Sequence, residues 1–442
     1  MEEMIIMTGI SFREFVQKLD REGKLLHAKK KLSLKLEVAS LLHSVEPRPL
    51  LAEVRESEYR IVGNLFATKE LVAECLGCRK EELVKRMLYA IENPSEPKVV
   101  ERSEAPVLEN TITNVDLTKM PIPLHLPNDG GPYITSGVVI ANDREYGRNL
   151  SFHRMMVIGK NKVVARILPR HLNEFINRVE ANGGELDIAI VVGAPINVLL
   201  AGATSVDIGM DEMKIANTLM PIRTVKLDNG IEVPADAEFV YEGIVTKEEE
   251  NEGPFLDLTG TYDIVRRQRV IEITKIHHRD NPIHHVLLPG GAEHKILMGM
   301  PREPTIFREV NKVTECTGVN ITQGGCSWLH AVVGIKKKNE NDGARAITAA
   351  FAGHKSLKHV VIVDDDIDIN NMEEVEWAIA TRVQGDRDVF IFKDQKGSSL
   401  DPSANPMTLA TAKIGVDATV PLNEKKKFKK EGYKEINIDE YL

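Results

Sequence analysis

The chain has 442 residues, 42% hydrophobic and 28% charged, with a formal net charge of −9. That length exceeds one ordinary hydrophobic core and predicts two or three domains of a soluble globular protein. The acidic balance excludes nucleic acid as the main partner, because phosphate-backbone binding favours a net basic surface, yet it leaves room for a local basic pocket.

The opening stretch, MEEMIIMTGISFREF, lacks the basic region and long apolar run of a signal peptide, and four cysteines cannot build a disulfide framework. A reducing, cytoplasmic setting is therefore expected. Ser11 and Glu14 have capping-box spacing and start a helix that runs to about Asp20. Helical periodicity returns at 36–43 and 68–88. Pro94, Pro97 and Pro106 mark a first boundary, and Pro121, Pro123 and Pro127 with Gly130-Gly131-Pro132 mark a second loop.

From Tyr133 the pattern changes to short β runs, ITSGVVIA, SFHRMMVIG, KVVARIL, IAIVVG, TVKL, EFVYEGIV and VIEITKI. They predict a mostly antiparallel sheet or barrel, interrupted by a helix over 171–181 that stops at Asn182-Gly183-Gly184. Residues 188–206 carry no charge and have spanning length. Gly193, Pro195, Asn197 and Gly202 interrupt them, so they read as a strand, a turn and a buried segment, with no membrane span. From Pro304 helices alternate with the strands AVVGIKK and HVVIVDD, an α/β layer arrangement. Glutamine is confined to Gln17, Gln268, Gln323, Gln384 and Gln395 beside abundant Lys and Glu, a thermophile tendency.

Several motifs have a bland reading beside a functional one. Cys75 and Cys78 form a lone CxxC, but a structural zinc needs four ligands and no second pair follows, so they read as helix cysteines. Asp364, Asp366, Asp368 and Asn370 resemble the start of a calcium loop but lack its glycine and closing glutamate, and read as a strand end before a helix. His277, His278, His284 and His285 flank a turn and read as outer-face or locally bonded residues more readily than as a metal site. The run Lys425, Lys426, Lys427, Lys429 and Lys430 reads as a solvated face.

One constellation differs in kind. Asn149, His171 and Glu212 offer an amide oxygen, an imidazole and a carboxylate, a mixed set suited to Mn²⁺ or Mg²⁺. Arg154 lies five residues beyond Asn149, and Glu252 and Asp257 lie in the loop EGPFLD. Two carboxylates beside one arginine can make a proton donor and its electrostatic partner. Spacing alone leaves separate surface roles open. Residues five apart on a flat strand face opposite ways, so Asn149 and Arg154 need a bulge or a strand end between them.

Taken in order, these segments resemble the UbiD family of decarboxylases. The segment NLSFHRMMVIGKNKVVARILPRH (149–171) is similar to the family's cofactor-binding stretch. Asp211-Glu212, VPADAEFVYEG (233–243), EGPFLD (252–257), GHK (353–355), Thr381-Arg382 and KIGVDAT (413–419) follow in matching order. The resemblance implies an α+β multidomain fold. An N-terminal α/β domain would span 1–110, a split β-barrel flavin-binding domain 111–303, and a C-terminal α/β oligomerisation domain 304–442. It implies prenylated FMN, a divalent ion (Mn²⁺ or Mg²⁺) and K⁺ as cofactors.

Residue by residue, the resemblance makes Asn149, His171 and Glu212 ligands of the divalent ion. It puts Ser151, Phe152, His153, Arg154 and Arg170 against the cofactor and Lys355 on its phosphate. It draws potassium to Ala201, Gly202, Ala203 and Thr204. Arg154, Glu252 and Asp257 match the catalytic trio: Arg154 to hold the substrate carboxylate, Asp257 to protonate the carbon that loses CO₂, and Glu252 to pair with Arg154. The expected partners are a small carboxylate substrate, a flavin prenyltransferase that supplies cofactor, and further copies of the chain as a dimer or hexamer. Three features depart from the common pattern: Asp257 replaces a frequent Glu, Leu256 a frequent Gly, and Arg170 an uncharged residue.

The composition and Arg170 are similar to the archaeal branch. That branch includes decarboxylation of trans-anhydromevalonate 5-phosphate in isoprenoid synthesis. An aromatic acid decarboxylase of the 4-hydroxybenzoate or phenolic type is the alternative. An FMN-dependent reductase is more distant, because no GxGxxG follows a strand and EGPFLD is present. A non-catalytic α/β scaffold is the remaining class.

Overall fold

The computed structural model describes residues 9–428 together with 436, 437 and 441. The start of the chain (1–8) and Lys429 and Lys430 of the lysine run lie outside the described residues. The chain divides into two units. One runs to Pro304 and takes in Gln323–Trp328 and Ser399–Pro402; the other comprises Thr305–Thr322, Leu329–Ser398 and the chain from Ser403.

The first unit begins with helix α1 (Phe12–Arg21), whose capping box is closed at both ends by Ser11 and Glu14. Helix α2 spans Glu37–Val45. The periodic stretch 68–88 is not one helix, as its pattern suggests, but α3 (Lys69–Leu76) and α4 (Leu83–Glu92). Gly77 ends α3 in the left-handed region at φ 65°, where glycine carries no Cβ penalty. Cys75 lies buried within α3, with no disulfide.

Strands β1 (Asn110–Ile112), β2 (Tyr133–Ile134), β3 (Val138–Asp143), β4 (Gly147–Phe152), β5 (Met155–Val157), β6 (Lys162–Ala165), β7 (Leu186–Val192), β8 (Phe239–Glu252) and β9 (Arg266–His278) form a nine-stranded sheet. Its order is β2-β5-β6-β9-β8-β7-β3-β4, with β1 on β9, and its pairings are antiparallel. Both faces are covered. Ile188, Ile190 and Val192 meet helix α5 (His171–Ala181) through Leu172, Phe175 and Ile176. Ala189 and Val191 point to the opposite core, shared with helices α6 (Ile196–Ala203) and α7 (Glu212–Leu219). Burial on two faces is why IAIVV reads as an unbroken apolar run. Residues 188–206 are thus a strand, a turn and a buried helix, and no helix among the described residues is long and apolar enough to cross a membrane.

The predicted strand TVKL joins a separate three-stranded sheet of Lys98–Val99, Arg223–Lys226 and Glu232–Pro234. His277, His284 and His285 are core residues, not outer-face ones, and His278 is half-buried. His277 bonds Glu242 at 2.6 Å, His285 bonds Glu293 at 2.9 Å, and burial pushes His284 down to about 3.

In the second unit, β10 (Glu315–Ile321), β11 (His330–Lys336), β12 (His359–Asp364), β13 (Val389–Lys396) and β14 (Ala410–Ala418) form a sheet of order β10-β11-β12-β14-β13. Ala331, Val333, Val360 and Ile362 face the core of α9 (Asp342–Gly353), whereas Val332, Val361 and Val363 face that of α10 (Met372–Arg382). The aspartates after β12 hold no calcium loop: Arg382 bonds Asp364 at 3.2 Å and Asp366 at 2.7 Å.

Candidate active site

Strand β4 ends at Phe152, and β5 begins at Met155. His153 and Arg154 occupy the break, so Arg154 escapes the strand alternation that would have turned it away from Asn149's side. Glu252 is the last residue of β8, and Gly253 then reverses the chain at φ 98°, a conformation that favours glycine. Gly130 presses against this turn: its N–H reaches the Pro254 carbonyl at 2.8 Å, and a Cβ there would lie 2.3 Å from the Gly253 oxygen. A two-residue ladder, Phe255–Leu256 with Tyr262–Asp263, sets Asp257 at a hairpin tip and Asp263 on the return strand.

These segments converge on Arg154. Its Nε and Nη2 donate to the two oxygens of Glu252 at 2.9 and 3.0 Å. Its Nη1 donates to Asp257 at 2.9 Å, and Nη2 also donates to Asp263 at 2.9 Å. Four of the five guanidinium hydrogens are thereby engaged, leaving one on Nη1. The Glu252 side chain is 0% exposed and also accepts from the Tyr133 hydroxyl at 3.0 Å. The Tyr133 ring lies 4.1 Å from that of Phe255, over which the Arg154 guanidinium sits at 5.2 Å. A buried charge is tolerable here because each carboxylate is paired and hydrogen-bonded. Asp257 also accepts from the Leu258 N–H at 2.7 Å. Burial pushes neighbouring Asp129 up to about 6.

A second cluster lies where α7 meets β4. Asn149 Nδ2 donates to Glu212 Oε1 at 3.0 Å and stands 3.5 Å from His171 Nδ1, while Glu212 Oε2 accepts from the Leu150 N–H at 2.9 Å. Glu212 is the first residue of α7 and only 2% exposed. Arg148 brings it there by a forked pair to Asp211 at 2.8 and 3.0 Å, and Asp211 caps α7 through the Met213 N–H. Among the described residues no cation answers Glu212: His171, 3.9 Å away, is held below its ordinary pKa by burial and then by Arg170. Burial therefore pushes the Glu212 carboxyl up to about 8. Among the described residues no three His, Cys, Asp or Glu side chains converge as a metal site, since an amide stands in the third place. An amide oxygen, a neutral imidazole and a carboxylate nevertheless suit a hard divalent cation, which would supply the missing charge.

The other predicted site residues fall as follows. Ser151 Oγ bridges Asn149 Oδ1 at 3.2 Å and His153 Nε2 at 2.9 Å, and burial holds His153 down at about 4. Phe152 packs against the apolar core beside Gly202. Arg170 is exposed and lines, with His171 and Asp207, an open cleft of about 390 Å³. Ala201, Gly202 and Ala203 form the buried last turn of α6; Thr204 caps it through its N–H to the Ala201 carbonyl and bonds the Leu200 carbonyl through its hydroxyl. Lys355 belongs to the second unit, exposed after α9, where its carbonyl accepts from Lys413 Nζ at 2.6 Å.

Residues outside the predicted set also meet Arg154's cluster. Asp263 is one. His294 on α8 (Ala292–Gly299) is another: its Nδ1 accepts from the Gly290 N–H at 3.1 Å, so the neutral ring carries its proton on Nε2. Burial lowers its pKa, and the charges of Asp257 and Arg154 both act on it. An isolated histidine in GGAEH carries no spacing signal that would single it out.

Three family models match the chain in order: the 3-octaprenyl-4-hydroxybenzoate carboxy-lyase N-terminal domain over residues 16–91, the Rift-related domain over 98–292, and the C-terminal domain over 295–418. The chain is 46% identical over 397 residues to the anhydromevalonate phosphate decarboxylase of Methanocaldococcus jannaschii, covering 89% of this chain and 93% of that one. The structure of the UbiD-class enzyme HmfF from Pelotomaculum thermopropionicum in complex with FMN is similar at TM-score 0.94 and 38% identity, over 98% and 100% of the two chains. An evolved dimeric form of HmfF in complex with prFMN is similar at TM-score 0.90 and 37% identity, over 98% and 100%.

Proposed function

The chain belongs to the UbiD family of carboxy-lyases, and within it we propose that it decarboxylates trans-anhydromevalonate 5-phosphate without net oxidation, for archaeal isoprenoid synthesis. One observation carries the chemistry: a single guanidinium, braced by a fully buried glutamate, holds an aspartate at the tip of a hairpin. The 46% identical archaeal relative supports the substrate.

Prenylated FMN is the cofactor in this reading, and it supplies an electron sink for the charge left when CO₂ departs from an sp² carbon. Asn149, His171 and Glu212 would hold a divalent ion, Mn²⁺ or Mg²⁺, whose charge would suit the cofactor's phosphate. The fit rests on a buried carboxylate facing no cation. The carbonyl end of α6 with the Thr204 hydroxyl would take K⁺, at the negative end of the helix dipole.

The chain's own residues do the rest. Glu252 keeps two hydrogens of Arg154, which fixes the guanidinium plane. The substrate carboxylate then meets Nη1, taking the free hydrogen and the one now given to Asp257. Asp257 accepts from two N–H groups in the present arrangement, and the substrate carboxylate takes the place of Asp257 on Arg154 Nη1. Asp257, carrying a proton drawn from solvent, then delivers it to the carbon that lost CO₂. The product is 3-methylbut-3-enyl phosphate.

We read the nine-stranded sheet as the family's split β-barrel and divide the chain into domains at 1–110, 111–303 and 304–442. A cytoplasmic location, assembly as a dimer or hexamer, and supply of cofactor by a flavin prenyltransferase complete the proposal. The test is an assay of holoenzyme, matured with a flavin prenyltransferase, on trans-anhydromevalonate 5-phosphate and on 4-hydroxybenzoate. Release of CO₂ from the first is expected, and release from the aromatic acid alone would overturn the assignment.

A further inference from the structure

Asp263 lies on the return strand of the Asp257 hairpin, directly opposite Phe255, whose ring underlies the Arg154 guanidinium at 5.2 Å. Register puts Arg266, at the start of β9, beside Glu252 at the end of β8. Arg266 and the Ile264 N–H both hold Asp263 Oδ1, at 2.6 and 2.9 Å. Oδ2 meets Arg154 Nη2 at 2.9 Å, and Arg166 Nε stands 3.6 Å from the same oxygen. The Asp263 side chain is only 11% exposed. Burial alone would raise its carboxyl, but the Arg266 hydrogen bond and the Arg154 charge outweigh it and hold the group below the ordinary carboxylate value.

A carboxylate grips a guanidinium most tightly by a fork across two nitrogens. Glu252 has one such fork, on Nε and Nη2 of Arg154. Asp263 takes the second Nη2 hydrogen, which any fork across Nη1 and Nη2 would need. A substrate carboxylate is left with Nη1, the nitrogen that also meets Asp257. That restriction has a chemical consequence. The carboxylate loses its charge as CO₂ forms, so a tight fork would hold the reactant more firmly than the transition state and slow the step.

We infer that Asp263 is a positioning residue that confines the substrate carboxylate to Nη1 of Arg154 and denies it a second fork. The inference deepens the proposed function and rests on its reading of Arg154 as the group that takes the carboxylate. Asp263 acts through Arg154 and does not touch the reacting atoms. Its own two anchors, Arg266 and the Ile264 N–H, keep it in place when substrate arrives, so the acid does not displace it from Nη2.

The test uses holoenzyme matured with a flavin prenyltransferase, as the parent, Asp263→Ala, Asp263→Asn and Arg154→Lys. Turnover of trans-anhydromevalonate 5-phosphate is followed by CO₂ release, and binding of its saturated analogue, 3-methyl-5-phosphooxypentanoate, by calorimetry. The analogue has the carboxylate but no unsaturated bond, so it binds without reacting. Asp263→Ala is expected to bind the analogue about three- to tenfold more tightly, with kcat lower by about tenfold and KM lower with it. Asp263→Asn, whose amide oxygen can still accept from Nη2, moves the same way by less, and it carries the test where Asp263→Ala fails to fold. Weaker or unchanged binding of the analogue, or an unchanged kcat, overturns the role of Asp263 alone. A parent that releases no CO₂ from the acid, or an Arg154→Lys variant that binds the analogue as the parent does, overturns the reading beneath it, and Asp263's role with it.

Discussion

The two polar clusters of the first unit solve the problem of buried charge in opposite ways. Around Arg154 every carboxylate has a guanidinium hydrogen, and Glu252 can be wholly buried. Around Glu212 the donors are an amide and a backbone N–H, with no cation, and burial pushes the carboxyl up to about 8. The first cluster is complete and holds its geometry in advance of substrate, as electrostatic preorganisation requires. The second pairs its carboxylate with neutral donors, the feature on which the proposed cation site rests.

Breaking the first cluster should have the largest effect. Arg154→Lys keeps a charge but cannot serve three carboxylates, and decarboxylation measured by CO₂ release should fall by at least about a hundredfold. Glu212→Gln should do the converse, weakening metal and flavin retention about 10- to 100-fold by metal analysis and flavin absorbance, with the Arg154 cluster intact. Arg148→Ala sharpens the contrast, because it touches neither ligand nor substrate. Releasing Asp211 and the start of α7 should weaken metal retention by about tenfold or less, with little change in melting temperature.

The smallest effect tests the rule itself. Asp129 borders the Arg154 cluster, and burial raises it from 3.8 to about 6. A folded pKa above the unfolded one gives stability that is full below about 4 and is lost as pH rises through about 6. Asp129→Asn should remove that fall, on the order of 1 kcal/mol once solvent screening of a half-exposed group is counted, in denaturant melts at pH 4 and pH 7.

Much of this was legible without coordinates. The capping box of α1 and the helix 171–181 stand where spacing set them, because each depends on residues a few positions apart. The break after β4 was legible as a need, since Asn149 and Arg154 could not share a flat strand. Gly77 was visible too, but its pattern of apolar spacing on both sides masked the end of α3.

The sequence by itself determined the kinds of element, the family, and the residue types that meet at the site. Only the tertiary structure decided which carboxylates share Arg154. The partners Glu252, Asp257 and Asp263 lie 98, 103 and 109 positions away, and the antiparallel order of β5, β6, β9 and β8 brings them near. It also decided that the charges of Asp257 and Arg154 act on the buried His294 and that Arg166 stands 3.6 Å from Asp263. Local spacing encodes helices, strands and caps, but the pairing of distant charges depends on sheet register, in which a slip of one residue would turn every side chain to the other face.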